Sequence, residues 1–208
     1  MLVALAATLL LTGCRGQVDD SGLSAGFAVR DASDCLPAIT LLDDHGQNVS
    51  LAALRGRPVL FDFIYTSCPG ECLLLTERMG QIAKDLGPAL GNEVRLVSIT
   101  VDPEHDQPPQ LLNYAKSQAA DVPGWMFLTG TPKQIDQVMA RFKLIRKREA
   151  DGTVDHVPEF FLVDPKGRAL LQCVGQSADP ERVESDLQQA AAGRPVATSD
   201  GAKVAVSY

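Results

Sequence analysis

Val59-Leu60-Phe61-Asp62-Phe63-Ile64-Tyr65 runs directly into Thr66-Ser67-Cys68-Pro69-Gly70-Glu71-Cys72, and the rest of the chain is read outward from this unit. The first seven residues are a short apolar run rich in aromatic side chains, as in a strand buried on both faces. A helix follows, because Cys72, Leu75, Met79, Ile82, Ala83 and Leu86 recur on one helical face. Gly87-Pro88 ends it. A buried strand therefore feeds a helix through a turn that holds two cysteines.

Downstream, strand and helix patterns keep alternating. Val94 to Val101 is a second β-rich run, and Pro108 to Ala119 reads as a second helix. Trp125 to Leu128 is a strand; Thr131 caps a helix that begins at Pro132 and reaches about Phe142. Glu159–Val163 and Ala169–Cys173 flank Asp164-Pro165-Lys166-Gly167, a strong hairpin turn, and Pro180 opens a terminal helix. This order predicts an α/β domain with a central mixed sheet covered by helices on both faces.

The chain has 208 residues, 45% hydrophobic and 22% charged, enough for one domain with a real core. A formal net charge of −7 gives no basic footprint and excludes a nucleic-acid partner. Leu2 to Leu11 is an apolar run far shorter than the roughly 20 residues that span a bilayer. It ends in Leu11-Thr12-Gly13-Cys14, which resembles a bacterial lipoprotein signal with Cys14 as the lipidated residue. Residues 1–13 hold no Lys or Arg, a departure from such signals. The expected organisation is a signal peptide over 1–13 and a lipidated Cys14 with a flexible linker to 34. The domain then spans 35–192, and a mobile tail spans 193–208. An exported protein, tethered to a membrane on its periplasmic or extracytoplasmic side, follows from this reading. If Cys14 carries lipid, Cys35, Cys68, Cys72 and Cys173 remain, an even number suited to an oxidising compartment. Cys35 and Cys173 are read first as two buried free thiols, with a pairing between them left open by the sequence.

Cys68 at a helix mouth would meet unpaired amides and the positive end of the helix dipole, which favour its thiolate. Cys72, four residues on, sits about 6 Å along the axis on nearly the same face. The two sulfurs can converge on each other or on one metal ion; two thiolates make a soft site suited to Cu(I). A structural disulfide or two buried thiols is the plain alternative. Of the three histidines, His45 lies in a polar turn and His105 in an acidic loop, and both read as solvated. His156 directly precedes Val157-Pro158 and an apolar strand, so it is the candidate third ligand. Asp62 is a carboxylate within a buried strand, costly unless used or paired.

Phe63 to Cys72 resembles the signature of the Sco/SenC family, an aromatic strand running into Thr-x-Cys-Pro-x-x-Cys. Val101-Asp102-Pro103-Glu104-His105-Asp106 is similar to that family's Val-Asp-Pro-x-x-Asp loop. Leu128-Thr129-Gly130-Thr131 and Asp155-His156 followed by Phe161-Leu162-Val163-Asp164-Pro165 match in order and spacing. The resemblance covers about Leu36 to Ala190. It implies a thioredoxin-like fold whose His156 loop faces the cysteine helix. It also implies copper, as Cu(I) or Cu(II), held by Cys68, Cys72 and His156, and a role in supplying the copper-site subunit of cytochrome c oxidase. The same cysteines would alternatively serve as a thiol-disulfide reductant that keeps that subunit's cysteines reduced. Gly70 and Leu73 replace the Asp and Pro usual in the family. Pro158 falls where thioredoxins place a cis-proline, and Asp62 where they place a buried proton acceptor. A cis Val157–Pro158 bond is therefore expected, with Asp62 serving the redox pair Cys68/Cys72.

Overall fold

The computed structural model describes residues 27–28, 34–174, 178–197 and 203–204. Cys14 and the signal-like segment before it lie outside them. Twelve strands and four α-helices are formed among the described residues. Strands β1 (Phe27–Ala28), β2 (Thr40–Asp43), β3 (Asn48–Ser50) and β4 (Val59–Ile64) precede helix α1 (Glu71–Leu86). Then come β5 (Arg95–Thr100), α2 (Pro108–Ser117), β6 (Trp125–Thr129) and α3 (Pro132–Arg141). A small hairpin of β7 (Lys147–Arg148) and β8 (Val154–Asp155) leads to β9 (Glu159–Val163) and β10 (Ala169–Val174). Helix α4 (Pro180–Ala191) and a ribbon of β11 (Val196–Ala197) with β12 (Lys203–Val204) complete the chain.

Eight strands form one sheet in the order β1-β10-β9-β4-β5-β6-β2-β3. Its centre, β4, β5 and β6, is parallel, and the flanking pairs are antiparallel. The sheet is thus mixed, as the sequence predicts, and the fold is thioredoxin-like. Both parallel crossovers run the same way across the sheet, so the right-handed rule puts α1 and α2 on one face. Thr76 of α1 and Tyr114 of α2 share a hydroxyl hydrogen bond of 2.8 Å there. The other face carries Phe142, at the end of α3, whose ring packs within 5.0–5.2 Å of Phe61, Phe63 and Phe161. Alternation along β4 sends Phe61 and Phe63 into that aromatic cluster and Asp62 toward α1. All six residues of β4 are buried, which explains a run that is apolar on both faces except at Asp62.

Thr131 caps α3 through a full capping box with Gln134. Helix α1 has no such cap: Gly70 contributes no side chain, and the first-turn amides are left for the site. No helix among the described residues is long and apolar enough to cross a membrane.

Short strand pairings lie outside the expected 35–192 at both ends. Phe27–Ala28, assigned to a loose linker, pairs with Gln172 and Leu171 of β10. Those residues engage backbone groups that an edge strand otherwise leaves open. Val196, assigned to a mobile tail, is buried and belongs to the β11–β12 ribbon beyond α4. Short pairings of two residues carry no period that sequence inspection can detect.

Candidate metal and thiol site

The turn between β4 and α1 lies at the carboxyl end of the parallel strands. Cys68 is half-buried and Cys72 fully buried, and neither they nor Cys35 and Cys173 are joined in a disulfide. The Cys72 amide donates to the Cys68 sulfur at 3.3 Å, so Cys68 itself serves as the missing cap of α1. The Cys72 thiol points at the same sulfur, and that hydrogen bond is the main reason the Cys68 thiol is pulled down to about 5. The amides of Gly70 and Cys72 and the Tyr65 hydroxyl act in the same direction, against the cost of burial. Cys72 bears the reciprocal cost: the hydrogen bond it gives to Cys68, and then burial, push its own thiol upward. One sulfur is therefore charged near neutrality and the other keeps its proton.

His156 arrives from the β7–β8 hairpin. Its Nε2 lies 3.8 Å from the Cys72 sulfur, and its ring meets Tyr65 edge-on with centroids 5.9 Å apart. Burial pushes the imidazole below its ordinary value, toward the neutral form that can ligate a metal. Its Nδ1 lies 3.3 Å from the Val157 carbonyl, a partner that would orient the ring.

One loop holds both halves of this arrangement. Asp106 accepts the Thr66 amide at 3.0 Å, the Thr66 hydroxyl at 2.5 Å and the Thr100 hydroxyl at 2.6 Å, fixing the cysteine turn. Four residues earlier, Asp102 is ion-paired to Arg148 of β7 and accepts from His105 at 3.0 Å. Arg146 adds bonds to the Val101 carbonyl and to Glu104, both at 3.0 Å, and to Asp136 at 2.7 Å. The loop from Val101 to Asp106 is thus a bracket between the thiols and the imidazole.

Asp62 is wholly buried, its charge bears on Cys72, and neither carboxyl oxygen makes a hydrogen bond of ordinary geometry. Burial pushes it up to about 7, although Ser98, its register partner on β5, pulls the other way. Cys35 and Cys173 are each pushed up to about 12 by burial, which makes them poor nucleophiles and ligands.

The sequence-based expectation fails at Pro158. No cis peptide bond occurs among the described residues, so Val157–Pro158 is trans. Trans is the default by about 0.5–1 kcal/mol. The side chain found against the Cys72 sulfur from this segment is the His156 ring, at 3.8 Å. Tyr65, by contrast, was not singled out, although it touches both Cys68 and His156; its place three residues before Cys68 was the available signal. Arg148 was missed because its partner is 46 residues away.

The donor set suits a soft, low-coordinate ion: a thiolate, a thiol that can lose its proton, and a neutral imidazole. The three donor atoms are not all within 4.8 Å of one another, so a shared ion would draw at least one inward. Among the described residues, Asp44, His45 and Asp121 do meet that spacing, but two of them are exposed and His45 is ion-paired to Asp121 at 3.7 Å.

Against known proteins, the sequence model of the SCO1/SenC family matches residues 28–192. The chain belongs to that family. The SCO1 protein homolog of Bacillus subtilis is 36% identical over 155 residues, which cover 73% of this chain and 80% of that protein. Among solved structures, a SCO1/SenC family lipoprotein from Bacillus anthracis aligns with a TM-score of 0.70 and 25% identity, over 79% of this chain and 99% of that one. BsSco, described as a member of the Sco family of cytochrome c oxidase assembly proteins with a disulfide switch, gives 0.65 and 32%, over 84% and 98%. Bradyrhizobium japonicum ScoI, solved with copper bound, gives 0.59 and 30%, over 73% and 96%.

Proposed function

We propose that this SCO1/SenC protein is a copper carrier for the assembly of the copper centre of cytochrome c oxidase, with Cys68, Cys72 and His156 as the ligands. The observation that carries this reading is the 3.8 Å approach of His156 Nε2 to the Cys72 sulfur, beside a Cys68 already biased to thiolate. Copper is the cargo in this reading, and the ScoI relative solved with copper bound supports the choice of metal. Loading takes one proton from Cys72, since Cys68 is charged and His156 neutral near pH 7. Asp62, buried and close enough for its charge to raise the Cys72 thiol, would receive it. Unloading would proceed by ligand exchange with sulfurs of the acceptor. The Leu11-Thr12-Gly13-Cys14 motif would tether the carrier to a membrane through a lipid on Cys14, and the lipoprotein relative supports this.

A second reading, a thiol-disulfide reductase, is favoured by the opposed acidities of the two cysteines. The Cys68 thiolate attacks a substrate disulfide, forms a mixed disulfide and expels one thiolate. Cys72 then loses its proton and displaces the second thiolate, leaving a Cys68–Cys72 disulfide. Two electrons pass to the substrate. The disulfide switch named for BsSco is consistent with such a pair.

A copper titration of the fully reduced protein, followed by absorption and by protection of the thiols, separates the readings. One equivalent bound with both Cys68 and Cys72 protected supports the carrier. No binding, with fast reduction of a disulfide substrate, supports the reductase.

A further inference from the structure

We propose, building on the carrier function above, that the mouth over Cys68 and His156 is a docking surface for a cationic partner, a protein face carrying Lys or Arg around its own metal-accepting sulfurs. The mouth is a hollow of about 420 Å³ lined by Tyr65, Cys68, Glu71, Glu149, Asp155 and His156 among others, with no Lys or Arg in its lining. Three carboxylates, Glu71, Glu149 and Asp155, thus line the one hollow that also holds Cys68 and His156. Lys147, on the rim, bonds Glu149 at 2.7 Å and faces Asp155 across the β7–β8 pair. The two arginines of the same hairpin turn away from the hollow: Arg148 to Asp102 and Glu104, Arg146 to Glu104 and Asp136.

An apolar side chain stands beside this charge. Val157, next to His156, is 50% exposed. Apolar contacts bordered by charge are the usual make-up of a transient protein interface. A concave site of one sign also concentrates opposite charge and steers approach. An acceptor with acidic residues around its sulfurs would meet like charge at Glu71 and Asp155, with Lys147 already engaged by Glu149. A basic one would bring its sulfurs over Cys68 while its cations met Glu71, Glu149 and Asp155.

The test measures how fast Cys68 in the reduced protein is modified by three methanethiosulfonates, one with a trimethylammonium group, one with a sulfonate and one neutral. In each reaction the thiolate attacks the sulfenyl sulfur and methanesulfinate leaves. Cys68 is counted as modified whether it keeps the adduct or passes on to a disulfide with Cys72. Relative to the neutral reagent, the cationic one should react at least roughly tenfold faster than the anionic one at low ionic strength, a preference that salt erodes. Glu71→Gln with Glu149→Gln should shrink that ratio severalfold, whereas Asp85→Asn with Glu93→Gln, at the far end of α1 and before β5, should leave it alone. A Lys-rich peptide should protect Cys68 from the neutral reagent, and a Glu-rich peptide of equal length should not. Equal rates for the two charged reagents, a ratio indifferent to Glu71 and Glu149, or better protection by the Glu-rich peptide would overturn the proposal. These rates need no copper, so a failed copper titration would count against the carrier function and not against the charge of the mouth.

Discussion

Arg148 is ion-paired to Asp102, a carboxylate only 3% exposed, and this pair fastens the hairpin that delivers His156 to the loop that also fastens Thr66 beside Cys68. The distance between imidazole and thiols is therefore set by residues that touch neither sulfur. Arg148→Ala should weaken copper binding roughly ten- to hundredfold, the usual cost of losing a group that orients a ligand. Alkylation of Cys68 should change little, because the cysteine turn keeps its own anchor in Asp106. Competition with a copper chelator, alongside alkylation rates, checks both halves.

His156→Ala removes the nitrogen donor but leaves the cap of α1 and the Cys68–Cys72 hydrogen bond in place. Copper affinity should fall strongly while disulfide exchange stays close to that of the unaltered protein. Unchanged affinity in the same chelator competition would remove His156 from the ligand set.

The pH dependence has two components of opposite sign. Cys68 is held near 5 in the folded protein against 9.0 for an ordinary thiol. Its contribution to stability is complete above the ordinary value and is lost as pH falls toward 5. Asp62 is raised to about 7 from 3.8, so keeping it buried costs nothing below the ordinary value. That cost grows as pH rises to about 7 and is constant beyond. Asp62→Asn should therefore gain stability over the unaltered protein on going from pH 5 to pH 8, read from denaturant midpoints at the two values. Equal gains at both would mean the carboxyl is not titrating in the fold.

Tyr65→Phe keeps the ring against His156 and deletes the hydroxyl that supports the Cys68 charge. The Cys68 titration, followed through thiolate absorbance in the ultraviolet, should shift upward, by less than the shift caused by Cys72→Ser. The Cys72 thiol is the larger of the two influences.

Asp106→Ala should be the most destabilising change in the bracket. It strips acceptors from the Thr66 amide and from two hydroxyls at a buried position. A loss of about 1–3 kcal/mol is expected in denaturant unfolding, as for other buried groups left without partners. Copper affinity and thiol reactivity should fall together, unlike the divided effect of Arg148→Ala.

Much of this was legible in the chain because its causes are local. The buried β4 strand, the helical face beginning at Cys72, the capped start of α3 and the hairpin at Asp164–Gly167 all follow from side chains within a few residues of one another. The spacing of Cys68 and Cys72 is of the same kind, since one helical turn fixes it. His156 could be singled out by its position before an apolar strand, but its 3.8 Å approach to Cys72 could not be read from the sequence. Neither could the Arg148–Asp102 bridge, the pairing of Phe27–Ala28 with β10, nor the trans geometry at Pro158. The opposed acidities of the two thiols depend on which sulfur caps α1 and which is buried within reach of the Asp62 charge. Hydrogen bonds and desolvation act through space over a few ångströms, and only the folded chain brings residues 40 to 90 positions apart within that range.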